Sequence, residues 1–137
     1  MFQPWLGTQI NDGQVQQLSP AALAYIGDAV YELYVRVYYL YPPKRLHAQH
    51  VQVVQQVRAE SQAQHLQVLR PYLKEDELEI VRRGRNATSK PPKRMDLTLY
   101  QQATSFETLV GYLYLTNCDR LHELFELLCF EVFPEKV

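Results

Sequence analysis

Apolar residues recur every three or four positions along most of the chain, which is the spacing of a helix with one buried face. The first such stretch contains Ala22, Tyr25, Ile26, Ala29, Val30, Leu33 and Val37. Ser19 suits a helix N-cap and Pro20 suits the first helical position, whereas Pro42 and Pro43 cannot continue a helix. The pattern therefore predicts a helix over residues 20–39.

The same spacing predicts four further helices, over residues 46–69, 75–83, 96–115 and 120–133. Gly84 suits a helix C-terminal stop. Residues 83–96 are rich in Gly, Pro, Ser, Asn and basic side chains, which indicates a loop. No segment alternates as a strand would. We expect an all-α domain of about five main helices over residues 18–137, preceded by an N-terminal arm of residues 1–17.

Two carboxylates lie within apolar helical segments, where charged side chains are unusual. Asp28 follows Gly27 in the middle of an apolar helix, and neither residue favours a helix interior. Glu107 lies in a second apolar helix, among Phe106, Leu109, Val110 and Leu113. A charge in apolar surroundings is costly unless it is paired or binds a cation. Both carboxylates could pair with buried basic side chains, or the two could meet and bind a metal ion.

The metal alternative has a definite chemistry. Two carboxylates from different helices that meet across a groove provide the oxygen ligands that Mg²⁺ prefers. Such an ion polarises a scissile phosphate and activates water, so Asp28 and Glu107 are candidates for catalytic metal ligands. Glu32 lies one turn after Asp28 on the same face. It could orient a water or make a packing contact, and we favour the packing contact.

The basic side chains cluster in one segment, although the formal net charge of the whole chain is only −1. Residues 82–94 contain no acid and hold six of the 14 Lys and Arg residues: Arg82, Arg83, Arg85, Lys90, Lys93 and Arg94. Asn86, Thr88 and Ser89 add neutral donors for phosphate or 2′-hydroxyl groups. This clustering predicts an RNA-binding segment, with a merely solvated basic loop as the alternative.

Composition adds three expectations. The length of 137 residues and the 47% hydrophobic content suit one domain with one core. Cys118 and Cys129 form no CxxC pair, so we expect two reduced thiols rather than a zinc or redox site. The N-terminal residues lack the features of a signal peptide and no apolar stretch is long enough to span a membrane. We therefore expect a soluble, cytoplasmic protein with no membrane partner.

Three motifs carry a resemblance to a known family. AYIGDAVYELYVR at residues 24–36 resembles the signature helix of ribonuclease III domains, and SFETLVGYLYL at residues 105–115 resembles the second acidic helix of that family. RGRNA at residues 83–87, followed by a Lys/Pro-rich loop, is similar to the Mini-ribonuclease III branch. The tripeptide Gly-Asp-Ala alone would be weak evidence for this resemblance, but the three motifs in this order are specific to the family.

The resemblance implies a homodimeric, all-α endonuclease that hydrolyses double-stranded RNA with Mg²⁺. Asp28 and Glu107 match the two metal ligands of the family, and Tyr25 matches an aromatic side chain that enters a pocket on the partner subunit. The resemblance also implies a role in maturing the ends of large-subunit ribosomal RNA, where a ribosomal protein could present the substrate.

The chain departs from full-length ribonuclease III at two acidic positions, where it carries Ala24 and Thr104. The Mini-ribonuclease III branch shows the same reduced set of acidic residues. We expect no double-stranded RNA-binding domain, so duplex affinity would come from residues 82–94 and from dimerisation. The departures leave a second hypothesis open, a non-catalytic RNA-binding domain of the same fold associated with the ribosome. A helical scaffold with no RNA role is the third.

Overall fold

A computed structural model describes residues 10–87, 90–91, 94–128 and 130, and this part of the chain is helical and contains no strand. The seven α-helices of the described residues are α1 (Asp12–Val15), α2 (Pro20–Tyr38), α3 (Leu46–Val57), α4 (Ala59–Leu69), α5 (Glu75–Asn86), α6 (Leu97–Thr116) and α7 (Cys118–Glu126). A single 3-10 turn, Arg70–Tyr72, follows α4. The predicted all-α fold is confirmed.

The two longest helices begin at the caps that the sequence contains. The Ser19 hydroxyl accepts the backbone N–H of Ala22 at 3.1 Å, and Pro20 opens α2. The Asp96 carboxylate accepts the backbone N–H of Leu99 at 3.3 Å and caps α6. Both interactions satisfy amide groups that a helix start leaves without a partner. The start of α2 is therefore the one predicted, and α6 begins one residue after the predicted start at residue 96.

The helix predicted over residues 46–69 is wrong in two respects. The helix is interrupted at Arg58, whose extended backbone (φ −70°, ψ 159°) separates α3 from α4. The hydroxyl of Ser61 donates to the carbonyl of Gln55 across this break and satisfies an acceptor that the helix no longer pairs. Apolar spacing continues on both sides of Arg58, so periodicity alone does not reveal the break.

The apolar spacing of residues 46–69 also predicts that Val51 and Val54 are buried and that the glutamines lie on the opposite face, and this prediction is wrong. Val51 and Val54 are about half exposed, whereas Gln52 and Gln56 are buried. The Gln56 amide donates to the Tyr39 hydroxyl at 3.3 Å. These glutamines lie inside because hydrogen bonds to neighbouring groups offset the loss of water.

The prediction around Gly84 is also wrong. Gly84 does not end α5, which continues to Asn86, so residues 83–86 are helical rather than loop. A Cβ atom on Gly84 would lie 2.7 Å from the Thr108 hydroxyl oxygen, so glycine serves here to bring α5 close to α6. At the other end, α7 stops at Glu126, short of the predicted end at residue 133, which lies outside the described residues.

Helix α6 is the centre of the domain and contacts α1, α2, α4, α5 and α7. Its buried side chains face several directions: Ala103, Ser105, Phe106, Thr108, Leu109, Val110 and Leu113. Phe106 packs edge-on against Tyr31 of α2 with ring centroids 4.9 Å apart, and both are fully buried. A helix enclosed by neighbours can be apolar on all sides. This arrangement is why Glu107 stands among apolar residues.

Three smaller observations complete the comparison. Helix α1 falls within the segment predicted as an arm, and Val15 is buried. Cys118 is a free, partly buried cysteine, whereas Cys129 lies outside the described residues. None of the described helices has the length and apolar character needed to cross a membrane.

Candidate active site

Helices α2 and α6 meet backbone to backbone at two glycines. A Cβ atom on Gly27 would lie 1.8 Å from the backbone oxygen of Glu107, and one on Gly111 would lie 1.9 Å from the backbone oxygen of Leu23. No side chain larger than hydrogen fits at either position. The glycine that is unfavourable within α2 by itself is thus required by contact with α6.

This crossing brings the two candidate ligands together. Asp28 directly follows Gly27, and Glu107 supplies the backbone oxygen that Gly27 faces. The two carboxylates are close enough for the charge on Asp28 to raise the pKa of Glu107. The structure therefore joins the pair that the sequence analysis singled out on separate helices.

Both carboxylates are electrostatically disfavoured. Burial, followed by repulsion from Asp28, raises the pKa of Glu107 to about 8, although a hydrogen bond from the Gln62 side chain opposes this rise. The Asp28 side chain reaches solvent, but partial burial and then the charge on Glu32 raise its pKa as well. Such a pair holds its charge more readily when a cation lies between the two groups.

The alternative of a buried ion pair does not hold for these acids. Within the described part of the chain, no Lys, Arg or His makes a salt bridge with Asp28 or Glu107. Glu32 does have such a partner, because Arg36 donates to it at 2.8 Å one turn further along α2. Asp28 and Glu107 thus lack the compensation that the neighbouring acid has.

The donor set suits Mg²⁺ better than a transition metal. Among the described residues, no group of three or more His, Cys, Asp or Glu side chains is placed to hold a metal ion. Mg²⁺ commonly uses one or two carboxylates and completes its shell with water and phosphate oxygens. Asp28 and Glu107 fit this requirement. Ala24 is buried and Thr104 is partly buried, and neither adds a carboxylate.

The first residues of the basic segment lie on α5, and its arginines differ in whether other groups already bind them. Arg82 donates two hydrogen bonds to the carboxylate of Glu79, from Nε and from Nη2, with Nε 2.9 Å from Oε2. Arg83 is partly buried and reaches the carbonyl of Leu18 at 3.5 Å. Arg82 is exposed, and the other exposed members of the segment are Arg85, Asn86, Lys90 and Arg94. Lys93, Thr88 and Ser89 lie outside the described residues.

A cavity of about 240 Å³ lies between the basic segment and the start of α6. It is lined by Pro20 and Ala21 of α2, Gly84 at the end of α5, Ala87, Lys90, and Tyr100 and Thr104 of α6. Sequence reasoning did not single out Tyr100, nor Gln62 beside Glu107, because one tyrosine of ten and one glutamine of many carry no local signal.

Tyr25 lies on α2 one turn before Asp28, and 80% of its surface is exposed. An aromatic side chain with this exposure is typical of a contact surface. Its predicted role at a dimer interface stays a prediction, since a single chain shows no partner.

Comparison with known proteins agrees with this arrangement. Residues 21–117 match the Ribonuclease III domain family. The chain is 56% identical over 119 residues to Mini-ribonuclease 3 of Thermosynechococcus vestitus, with 87% of this chain and 79% of that protein covered. It is 57% identical over 114 residues to Mini-ribonuclease 3 of Synechocystis sp., with coverage of 83% and 80%.

A solved structure shows the same fold. The X-ray crystal structure of a protein from Fusobacterium nucleatum superposes with a TM-score of 0.73 at 26% sequence identity, covering 82% of this chain and 90% of that one. The motifs, the helical fold and the similarity over most of the chain all agree. This chain therefore belongs to the ribonuclease III family and, within it, to the Mini-ribonuclease 3 group.

Proposed function

We propose that this protein is a Mg²⁺-dependent endoribonuclease that hydrolyses double-stranded RNA. Family membership supports a ribonuclease, an enzyme acting on RNA. The observation that carries the finer proposal is the pairing of Asp28 with Glu107 at the crossing of α2 and α6 without a basic partner among the described residues.

The two carboxylates have different tasks in this proposal. Asp28 reaches solvent and would hold the cation on the side open to substrate, whereas Glu107 is more enclosed and would anchor it from α6. When bound, Mg²⁺ supplies a Lewis acid for the phosphate and lowers the pKa of water. Glu107 must be ionised to take part, so its raised pKa couples metal binding to release of a proton.

The RNA contacts are proposed for the exposed part of the basic segment. Arg85, Lys90 and Arg94 would bind phosphate groups, and the Asn86 amide can bond to a 2′-hydroxyl. Arg82 and Arg83 belong to the proposed set but are already engaged with Glu79 and Leu18. Lys93 is included on its charge alone.

The wider setting of the reaction is proposed from the resemblance. A homodimer with Tyr25 in its interface would place two sites on one duplex. The substrate would be precursor ribosomal RNA in the cytoplasm, cut at the ends of the large-subunit RNA, with a ribosomal protein presenting it. The exposed Tyr25 supports the dimer, and the Mini-ribonuclease 3 relatives support the choice of branch.

The test is cleavage of an end-labelled RNA duplex by the purified protein, with Mg²⁺ and with excess chelator. We expect cutting only with Mg²⁺, and at least a 100-fold lower rate for Asp28→Asn, because one of two metal ligands is lost. Asp12→Asn is the matched control, since Asp12 is an exposed acid on α1. Cutting in chelator, or full activity of Asp28→Asn, would contradict the proposal.

A non-catalytic RNA-binding domain is the second candidate. It is favoured by the small donor set, since Ala24 and Thr104 stand where larger relatives carry acids and the described residues hold no cluster of three metal-binding side chains. The same experiment separates the two. A protein that shifts the RNA duplex in a gel-shift assay but does not cleave it at any Mg²⁺ concentration would favour the non-catalytic RNA-binding domain.

A further inference from the structure

The cavity between α2, α5 and α6 has a lining that suits an anion. Its volume of about 240 Å³ is smaller than the sites of roughly 300 to 1,000 Å³ that take drug-sized molecules, so its occupant is a small chemical group. Three lining side chains carry polar groups, namely the ammonium of Lys90 and the hydroxyls of Tyr100 and Thr104. None of the described lining residues is acidic. A cation with two hydroxyls and no acid favours a negatively charged ligand over a metal ion.

These three polar groups are not engaged elsewhere in the described part of the chain. Lys90 is exposed and forms no salt bridge with a described acid. Tyr100 and Thr104 are partly buried, and neither hydroxyl makes a hydrogen bond to a described residue, although the Thr104 carbonyl accepts one from Thr108 at 2.7 Å. Polar groups that are withdrawn from water normally have hydrogen-bond partners. A ligand with several acceptor oxygens would provide the partners that the fold does not.

The cavity lies on the same side of α2 and α6 as the carboxylate pair. Thr104 precedes Glu107 by three residues on α6, and Ala21 precedes Asp28 by seven residues on α2. Both spacings return to the same face of a helix. With a rise of 1.5 Å per residue, the cavity lies about 5 Å from the pair along α6 and about 10 Å along α2. One strand of an RNA duplex is therefore long enough to contact the carboxylate pair and the cavity together.

We propose that this cavity is a phosphate-binding pocket, in which Lys90, Tyr100 and Thr104 hold a phosphate group beside the carboxylate pair. Lys90 supplies the positive charge, and the two hydroxyls donate to phosphate oxygens. The source of the phosphate rests on the proposed function: it is a backbone phosphate of the bound RNA, next to the one that is cut. Such a contact fixes the position of the strand without reading its sequence. Free inorganic phosphate offers the same oxygens and is the other source.

The backbone around the cavity favours the same ligand. Pro20 and Ala21 form the first turn of α2, a helix of 19 residues whose amino end carries partial positive charge. Gly84 and Ala87 contribute almost no side chain to the lining, and this leaves room for the phosphate group. The sequence RGRNA at residues 83–87 thus provides small residues as well as basic ones. A larger side chain at position 87 would occupy the cavity.

The test measures RNA binding without cleavage, in the Asp28→Asn background. An uncharged methylphosphonate replaces one phosphate at a time along one strand of an RNA duplex, and fluorescence anisotropy gives the Kd of each duplex. We expect one position at which the replacement raises the Kd about 10-fold, because a charge-assisted contact is lost. Adding either Lys90→Gln or Tyr100→Phe should reduce the effect at that same position to about threefold or less. Tyr112→Phe, which changes a partly buried tyrosine of α6 outside the cavity, is the matched control and should leave the pattern unchanged.

Titration of inorganic phosphate into the RNA-free protein by isothermal calorimetry separates the two sources. If no position of the RNA depends on both side chains, but Lys90→Gln and Tyr100→Phe each weaken the binding of inorganic phosphate, the pocket stands and its ligand is free phosphate. If neither measurement depends on both side chains, the pocket is overturned. A shared position in a protein that does not cleave RNA with Mg²⁺ would keep the pocket and contradict only the nuclease function.

Ala87→Leu tests the pocket without removing a polar group. Ala87 is exposed at the end of α5, so the larger side chain should be tolerated by the fold while it occupies the cavity. We expect this variant to abolish the same effect as Lys90→Gln and Tyr100→Phe, and it replaces either of them should that variant not fold. A wild-type pattern for Ala87→Leu, in both the RNA and the phosphate measurement, would overturn the pocket.

Discussion

Gly27 and Glu107 are in direct contact, since a methyl group on Gly27 would lie 1.8 Å from the Glu107 backbone oxygen. The contact joins the turn of α2 that carries Asp28 to the turn of α6 that carries the second carboxylate. Helix packing and the proposed metal site thus depend on the same pair of residues. Loss of this contact should affect stability and activity together.

The first prediction concerns Gly27→Ala. The added Cβ meets backbone rather than a movable side chain, so α2 and α6 must separate. We expect the free energy of unfolding to fall by about 3 kcal/mol or more, despite the better helix propensity of alanine. Urea denaturation followed by circular dichroism measures this. In the control, Gly13→Ala, the nearest atom is Asn11 Oδ1 at 3.4 Å, so stability should change little. Equal stability of the two variants would contradict the tight crossing.

The second prediction concerns pH. Burial and then the charge on Asp28 raise the pKa of Glu107 to about 8 in the folded protein, against an ordinary value of 4.5 in the unfolded chain. Between these values the folded state binds more protons, so without divalent cations stability should fall as pH rises from about 5 to 8. Melting temperatures in chelator across this range measure the effect, and Mg²⁺ at pH 8 should restore the loss.

Glu107→Gln is the variant that isolates this effect. It removes the carboxylate that the folded state disfavours, so the metal-free variant should be more stable than wild type at pH 8, by roughly 1 to 3 kcal/mol. It should also be inactive. A metal-free wild type whose stability rises with pH over this range would contradict the raised pKa of Glu107.

The third prediction separates two arginines of α5. Arg85 is exposed and makes no ion pair with a described residue, whereas Arg82 is bound by Glu79. Arg85→Ala should reduce the slope of log affinity for duplex RNA against log salt concentration by about one unit. Arg82→Ala should change it much less, because its charge is already balanced. Binding titrations at several salt concentrations with the inactive Asp28→Asn background measure both. Equal effects would contradict a selective role for Arg85.

The fourth prediction concerns the buried ion pair at the start of α5. Burial disfavours the charge on Glu77, but hydrogen bonds from Arg120 and the Lys74 backbone outweigh it and lower the pKa of Glu77. Arg120 also donates to the Tyr72 carbonyl at 2.7 Å and so links α7 to the 3-10 turn that precedes α5. Arg120→Ala should reduce stability by about 3 to 5 kcal/mol, because a 2% exposed carboxylate is left without its partner.

The exposed Glu79–Arg82 pair provides the comparison, since solvent screens this pair and Glu79→Gln should leave stability nearly unchanged. The pH dependence has a definite sign. The stabilisation by Glu77 is present above its unfolded pKa near 4.5 and is lost as pH falls through the lower folded value. Acid unfolding of Glu77→Gln should therefore show a weaker pH dependence than that of wild type, and an identical profile would contradict the assignment.

The fifth prediction concerns Tyr25 and assembly. If Tyr25 enters a pocket on a second copy, Tyr25→Ala should weaken the dimer by about 30-fold or more, as expected for an aromatic residue central to an interface. Tyr41→Ala is the control, because Tyr41 is 82% exposed against 80% for Tyr25. Sedimentation equilibrium measures both. A Tyr25→Ala protein that dimerises like wild type would remove Tyr25 from the interface.

The sequence by itself determined the fold class, the capped start of α2, and the two acids that stand out within apolar helices. These features are local, because a cap depends on residues three positions apart and helical periodicity on neighbouring turns. Asp28 and Glu107 were recognisable because a charge in an apolar helix is anomalous wherever the helix lies. The family resemblance added their proposed role, and the similarity to Mini-ribonuclease 3 proteins confirmed the family.

Only the tertiary structure decided how these parts meet. The break at Arg58, the continuation of α5 through Gly84 and the burial of Gln62 all depend on contacts between segments far apart in the chain. The sequence does not distinguish a glycine that ends a helix from a glycine that lets two helices touch. A buried glutamine differs from an exposed one only through its neighbours. The packing around α6 makes that distinction, and it also brings Asp28 and Glu107 close together.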